Sequence, residues 1–277
     1  MDVYISDRAY EITPGEHERI GQGRAIEEIV RYVVRLLGSL YELQEIDQAA
    51  AEIYLAHCYY YSTLHGHLHF FKRIQFDNTI VQMTVNALGN MKAYEHQMLL
   101  QRAFQLMPAL QQYRALSDEA YEALLADLAP VDKAFHALID EALMQKKKTL
   151  LDLQYDHISL IKNIRIMPEE EVTKAMKRLA AAVPKKEEKL KKRAEQDAKE
   201  AGEYARFAQM LCAKCHLQFI SIDDKRSDVF LELFGDEVLC YEISTDDGEY
   251  DVVCDDRTLF LLRLGRVKAT MPCSIVA

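Results

Sequence analysis

The chain has 277 residues, of which 49% are hydrophobic, 9% aromatic and 28% charged, with a formal net charge of −10. This length exceeds a typical domain of roughly 100 to 200 residues, so more than one folding unit is expected. The hydrophobic fraction excludes a disordered chain, because disordered chains are poor in apolar residues.

The charge is unevenly distributed along the chain. Residues 1–142 contain 11 basic and 20 acidic side chains, residues 143–200 contain 15 and 10, and residues 201–277 contain 8 and 14. Phosphate contacts require clustered Lys and Arg. We therefore predict no direct nucleic-acid binding by the acidic segments at either end.

The start of the chain has no basic region leading into an apolar run, which argues against a secretory signal. No stretch approaches the roughly 20 apolar residues of a membrane-spanning helix. The sequence therefore predicts a cytoplasmic protein without a membrane segment. Six cysteines in such a protein are expected to be free thiols.

The first part of the chain has helical periodicity. Apolar residues recur at three- and four-residue spacing before Gly38, and the rhythm repeats from Ile46 to Tyr60. Thr79 and Gln82 match a capping box, which predicts a helix that Gly89 can end, and the next helix is expected from about Lys92 to Met107.

Two further helices are expected before residue 145. Ser117 is a candidate N-cap, and Pro130 is predicted to lie in the first turn of a separate helix. Downstream, Pro168 is expected to begin a helix that Pro184 closes, and the stretch from Lys185 to about Cys215 predicts one long helix with small residues every three or four positions.

After His216 the pattern changes to short runs of β-forming residues. We expect strands over 219–222, 229–234, 238–244, 250–254 and 258–264. The turn Asp246-Asp247-Gly248 is a hairpin signal, because Asp and Gly tolerate tight-turn backbone angles.

The predicted fold class is α+β, with a mainly helical N-terminal bundle and a small antiparallel sheet at the C-terminus. The predicted segments are a helical domain over 1–145, a charged helical connector over 146–216 and a β-rich domain over 217–277.

A histidine cluster, His65, His67 and His69, is a candidate metal site because imidazoles bind transition metals. Residues two apart on a helix face nearly opposite sides, so the alternative is a turn packed on the core. A metal-dependent enzyme or sensor using these histidines remains an alternative function.

Cys212 and Cys215 precede His216 in a pattern that matches a c-type haem attachment motif. That chemistry belongs to an exported compartment, and zinc binding with Cys240 and Cys254 lacks close spacing in the second pair. Burial of the thiols as small hydrophobic groups is therefore favoured. We predict neither a metal nor a cofactor.

The lysine-rich runs at residues 146–148 and 185–193 are interleaved or flanked with acids and favour a solvated helix face over a nucleic-acid surface. Acidic residues that lie off the apolar faces are candidates for binding a basic partner, since such charge steers association. The candidate partner-binding residues are Asp118, Glu119, Glu122, Asp127, Asp246, Asp247, Glu249, Asp255 and Asp256.

A family resemblance covers about residues 50–143. A tyrosine-rich helix leads to Leu64-His65-Gly66-His67-Leu68-His69-Phe70-Phe71, followed by Asn86-Ala87-Leu88-Gly89 and by Leu99-Leu100-Gln101-Arg102-Ala103-Phe104. This segment resembles the bacterial DNA-mimic family, a helical domain of unknown function. The family usually has an Asn-Gly-Gly turn followed by Gln before the aromatic pair, whereas this chain has Leu64, His65 and His69 around Gly66. The resemblance implies a non-catalytic acidic protein that acts either as a DNA mimic or as a toxin-neutralising immunity protein.

The sequence thus predicts a non-enzymatic acidic binding protein, in the first place an immunity-type inhibitor of a bacterial toxin or other basic partner. The alternative in the binding class is a DNA-mimic regulator of a basic DNA-binding protein. Pairing of the long helix with a second copy of the chain stays open.

Overall fold

A computed structural model describes residues 1–10, 18–113, 116–229, 238–255 and 257–273. The fold class is α+β, as predicted, with helices in the N-terminal part and a five-stranded antiparallel sheet at the C-terminus. The contacts within the chain divide it into two compact units. One contains residues 1–110 and 124–186, and the other contains residues 111–123 and 187–277. We call these the helical unit and the sheet unit.

The helical unit contains most of the helices. Their bounds are α1 Glu18–Gly38, α2 Gln48–Thr63, α3 His67–Arg73, α4 Asn78–Asn90, α5 Tyr94–Leu110, α6 Asp118–Met144, α7 Leu150–Ile158 and α8 Glu169–Ala181. Residues 118–123 of α6 are grouped with the sheet unit. Among the described helices, none is both long enough and apolar enough to cross a bilayer.

The core of the helical unit forms where α2 packs against α1, α4 and α7. Its fully buried side chains include Ile29, Ile53, Tyr59, Leu88 and Leu100. This burial follows from the predicted helical periodicity, which places one apolar face of each helix inward.

A short parallel strand pair joins the two ends of the helical unit. Strand β1, Val3–Ser6, pairs with β2, Ile164–Met167, in the register Val3 to Ile164. The sequence analysis missed both strands. They have only four residues each and lie about 160 positions apart, so nothing local to either strand identifies its partner.

Two helix boundaries differ from the predictions. Helix α4 is capped by Asp77, whose carboxylate accepts from the backbone N–H groups of Thr79 and Ile80 at 2.7 and 3.2 Å. The Thr79–Gln82 capping box was therefore wrong, and the Gln82 side chain instead donates to Asn86. Asp77 precedes Thr79 by two residues, and its carboxylate reaches the first free N–H groups of the helix.

Pro130 was predicted to start a separate helix, but it lies inside the continuous helix α6. A proline in this position removes one backbone hydrogen bond. The buried residues Leu124, Leu128, Val131 and Phe135 continue one apolar face through it, and their burial holds the helix together across the proline.

The sheet unit packs the long helix α9, Lys186–Lys214, on one face of the sheet. The strands are β3 Phe219–Val229, β4 Val238–Thr245, β5 Gly248–Asp255, β6 Thr258–Arg263 and β7 Arg266–Pro272, in that order across the sheet. The long helix and the hairpin at Asp246-Asp247-Gly248 are confirmed. Strand β7 was missed, and residues 230–234 of one predicted strand lie outside the described residues.

The apolar seam of the sheet unit is formed by alternate strand residues facing one side of α9. Leu211 and Cys212 of the helix are buried against Ile243, Val252 and Leu261 of the sheet. Alternation along each strand gives a face that matches the helical stripe, which is the standard way to bury both elements.

The predicted connector over 146–216 is divided between the units. Residues 146–186, including α7, β2 and α8, are grouped with the helical unit. Residues 187–216, the main part of α9, are grouped with the sheet unit.

Candidate functional sites

Of the three histidines of the candidate metal cluster, His65 precedes α3, and His67 and His69 lie in its first turn. His67 is completely buried, whereas His65 is exposed and its ring lies 5.3 Å from that of His69, centroid to centroid. Among the described residues, no group of three or more His, Cys, Asp or Glu side chains could hold a metal ion. The helical period explains the separation, since residues two apart point to different sides.

His67 is the centre of a buried hydrogen-bond chain instead. Its Nδ1 lies 2.6 Å from the Asp132 carboxylate, and its backbone N–H donates to the same oxygen at 2.8 Å. A carboxylate accepts, so Nδ1 donates to Asp132, and Nε2 lies 3.2 Å from the Tyr59 hydroxyl. This chain of hydrogen bonds links α2, the start of α3 and α6.

The glycine before His67 is required by this arrangement. Gly66 has φ +99°, a region that side-chain-bearing residues rarely adopt. A Cβ at this position would lie 3.1 Å from the Asp132 carboxylate. Gly66 therefore allows both the turn and the close approach of Asp132.

The Tyr59 hydroxyl lies at the buried end of this hydrogen-bond chain. Burial is the main cause that raises its pKa above the ordinary value, and nearby Asp132 adds to the effect. The ring is surrounded by Phe70, His96 and Phe135 at centroid distances of 5.4 to 6.3 Å. A protonated hydroxyl in such a place acts as a hydrogen-bond donor that joins the helices.

A second buried polar group is centred on Glu52 of α2. One carboxylate oxygen accepts from the amide groups of Gln48 and Asn90 at 2.9 and 2.6 Å, and the other lies 2.6 Å from His157 Nε2. Burial alone would raise the pKa of Glu52, but the hydrogen bonds from His157, Gln48 and Asn90 outweigh it and hold the pKa below its ordinary value. Glu52 is therefore an ionised acid in a nearly buried site.

The Glu52 group separates two clefts of the helical unit. Glu52, Gln48 and Asn90 line both a cleft of about 580 Å³ between α2 and α4 and a second cleft of about 480 Å³ that reaches His157. Sequence reasoning missed this group, because Glu52 and His157 are 105 positions apart.

The thiols do not converge on one site. Cys212, on α9, is buried in the seam between that helix and the sheet, whereas Cys240 belongs to a small apolar cluster with Val253 and Leu262. Cys254 lies 3.5 Å from Cys273, sulfur to sulfur. All six cysteines are free thiols, as predicted.

The predicted partner-binding acids fall into separate places. Asp127 is exposed on the part of α6 that is grouped with the helical unit. Asp246, Asp247 and Glu249 are exposed at the turn between β4 and β5. Asp256 lies outside the described residues.

Two of the turn acids have internal partners. Asp246 accepts from the backbone N–H of Gln218 at 2.8 Å. Asp247 accepts from Tyr250 at 2.8 Å and pairs with Arg263 at 2.7 Å. These two carboxylates hold the hairpin in shape, so less of their charge is available to a partner.

Of the remaining acids, Asp118, Glu119 and Glu122 lie in the first part of α6, and Asp255 ends β5, two residues before Arg257 in the β5–β6 turn. Its guanidinium pairs with Asp118 at 3.0 Å, bonds the Leu116 carbonyl and lies 4.6 Å above the centre of the Tyr121 ring. Arg257 follows Asp255 by two residues, so these contacts bring the start of α6 to the turn that follows Asp255, the last residue of β5.

We call Asp118, Glu119, Glu122 and Asp255 the α6-start acids. Glu119 and Glu122 are exposed, and the Asp118 side chain is 94% exposed despite its ion pair. Strand β5 has eight residues, which places Asp255 roughly 23 Å from the β4–β5 turn at about 3.3 Å per residue. The sheet unit therefore has acids at both ends of β5.

Comparisons of the chain with protein-family models, with curated proteins and with solved structures gave no match. The resemblance of residues 50–143 to the bacterial DNA-mimic family stays a prediction.

Proposed function

We propose that the chain is a non-enzymatic acidic binding protein that acts on a basic protein partner, in the manner of an immunity-type inhibitor of a toxin. The observation behind this proposal is the Arg257 contact with Asp118 and Tyr121, which joins the start of α6, where Glu119 and Glu122 also lie, to the turn after Asp255. Arg257 itself has a side chain only 18% exposed, so the exposed groups there are mainly acidic.

The physical basis is electrostatic steering. Exposed carboxylates attract a basic surface over distances comparable to the Debye length, which is about 8 Å at physiological salt. Acids in the first turn of α6 also stabilise that helix through its dipole. The helix-stabilising role accounts for Asp118 and Glu119, but not for Glu122 and Asp255, which lie outside the first turn.

The test begins with the tagged chain in its native host. Proteins that co-purify with it are identified, and the binding of each purified candidate is measured by calorimetry at several salt concentrations. We expect a basic partner whose affinity falls at least tenfold between 50 and 200 mM salt, because screening weakens contacts between exposed charges. A partner that is a toxin supports inhibition, and a DNA-binding protein supports the DNA-mimic alternative.

The salt series includes a neutral osmolyte at matched osmolality as the control for general solvent effects. An acidic partner, or a complex whose affinity is independent of salt, would contradict the proposal. Turnover of a small molecule by the purified chain would also contradict it.

A further inference from the structure

The cleft of about 580 Å³ between α2 and α4 has an unusual lining. Its polar wall consists of one carboxylate, Glu52, and five carboxamides, Gln44, Gln48, Asn86, Asn90 and Gln97. Leu43, Ile46, Leu55 and Met83 contribute apolar surface. No Lys or Arg is among the described residues that line this cleft. Anionic ligands such as phosphates are therefore disfavoured, because nothing in the wall offsets their charge.

Four of the carboxamides are oriented by the protein itself. The amino groups of Gln48 and Asn90 donate to Glu52, at 2.9 and 2.6 Å. That of Gln97 donates to the Val85 carbonyl at 3.0 Å, and that of Gln44 lies 3.8 Å from the Met83 sulfur.

A carboxamide whose amino group is used in this way keeps its carbonyl oxygen as an acceptor. Within the described part of the chain, none of the four carbonyl oxygens accepts a hydrogen bond from protein. The wall of the cleft therefore offers several acceptors next to an ionised acid. Gly89 contributes to this arrangement, since a Cβ there would lie 2.6 Å from the Gln97 amino group.

The carboxylate of Glu52 is held in place on the side away from the cleft. His157 Nε2 lies 2.6 Å from the second carboxylate oxygen, and the imidazole makes this bond as a donor because a carboxylate accepts. The side chain of Glu52 is 11% exposed, so water screens its charge weakly.

From these contacts we infer that the cleft between α2 and α4 binds a small organic cation, an alkyl ammonium or guanidinium group, with Glu52 as its counter-ion. An ammonium group has three donors and no acceptor, which matches a wall of carboxylate and carbonyl oxygens. The methylene groups of such a ligand fit against Leu43, Ile46 and Met83. This inference is independent of the proposed binding of a basic protein by the sheet unit.

The test uses putrescine as the probe and 1,4-butanediol as its uncharged counterpart of the same chain length. Calorimetric titration of the full chain at low salt is expected to give one putrescine site and no heat of binding for butanediol. Equal binding of the two compounds, or no binding of putrescine at millimolar concentration, would overturn the inference.

Matched variants separate the cleft from general attraction to an acidic protein. Glu52→Gln is expected to weaken putrescine binding at least tenfold, whereas Glu27→Gln, which removes the same charge from an exposed position on α1, is expected to leave it within twofold. Equal losses in both variants would show that only net charge matters and would overturn the inference.

If circular dichroism shows that Glu52→Gln does not fold, a third variant tests the cleft in its place. Gln44→Met replaces an exposed side chain whose amino group has Met83 as its hydrogen-bond partner among the described residues, so the fold is expected to persist. Putrescine binding should fall at least threefold in Gln44→Met. An unchanged affinity in this variant would count against the site.

Discussion

The two units of the chain use their polar residues differently. The helical unit buries ionisable side chains in hydrogen-bond groups, Tyr59–His67–Asp132 and Gln48–Glu52–Asn90–His157. The sheet unit has an almost wholly apolar seam between α9 and the strands, and its acids lie at the surface. The difference indicates that specificity inside the helical unit depends on polar geometry, whereas the sheet unit depends on apolar burial and presents its charge outward.

The largest effect is expected from the apolar seam. Leu211 of α9 is completely buried against the sheet, so Leu211→Ala should lower the free energy of unfolding by about 4 kcal/mol through lost burial and a cavity. Leu190, on the same helix and 47% exposed, is the control, and Leu190→Ala should cost about 0.5 kcal/mol. Urea unfolding measures both, and similar values for the two variants would argue against the seam as the main source of stability.

The buried hydrogen-bond chain around His67 is expected to contribute nearly as much to the free energy of unfolding. His67→Ala removes the ring that lies between Tyr59 and Asp132 and leaves a cavity, with the Tyr59 hydroxyl keeping the His96 carbonyl at 3.5 Å, so we expect a loss of about 3 kcal/mol. His65→Ala, two residues away and exposed, should change stability by less than about 0.5 kcal/mol. If urea unfolding shows equally small losses of stability for the two variants, the hydrogen-bond chain around His67 does not join the helices.

Gly66 provides a test of the turn that holds His67. Gly66→Ala should cost about 2 kcal/mol, because the backbone angle is unfavourable and the new Cβ meets Asp132. Gly23→Ala is the matched control on α1, where a Cβ meets nothing within 4 Å, and it should stabilise by about 0.5 kcal/mol. Thermal unfolding that shows the same sign for both variants would contradict this account of the turn.

A smaller effect is expected from pH. Burial, followed by the influence of His67, lowers the pKa of His96 from its ordinary 6.5 to about 4. The unfolded chain then binds a proton at higher pH than the folded chain does, so stability is complete above pH 6.5 and declines as the pH falls towards 4.

The contribution of His96 is isolated by substitution. We expect His96→Gln to reduce the loss of stability between pH 7 and 5 by about 1 kcal/mol, allowing for partial solvent screening. His136→Gln, at an exposed position on α6, is the control for the substitution itself. Urea unfolding at the two pH values measures the difference, and the opposite sign for His96→Gln would contradict the assignment.

Local sequence patterns predicted the fold class and most of the elements. How far such patterns are sufficient differs between the two units. Helix α9 and the hairpin at Asp246-Asp247-Gly248 depend on neighbours within a few residues, so periodicity and turn chemistry were sufficient. Strand β7 was missed because its side chains are mostly exposed, and an edge strand with Arg266 and Lys268 lacks an apolar signature.

The polar groups of the helical unit could not be predicted in the same way. His67 was singled out for its histidine neighbours, but its partner Asp132 is 65 positions away. Glu52 and His157 gave no local signal at all, since only the packing of α2 against α7 brings them together. Non-local contacts of this kind depend on tertiary structure rather than on sequence spacing.

The most direct measurement of the proposed function is the affinity of the purified basic partner for two charge-reversed variants. Glu119→Lys/Glu122→Lys alters the α6-start acids, and Glu187→Lys/Glu188→Lys makes the same charge change among the exposed lysines of α9. We predict that the first variant binds at least tenfold more weakly than the second, because only the first reverses charge at the proposed surface. Equal affinities for the two variants would contradict the account.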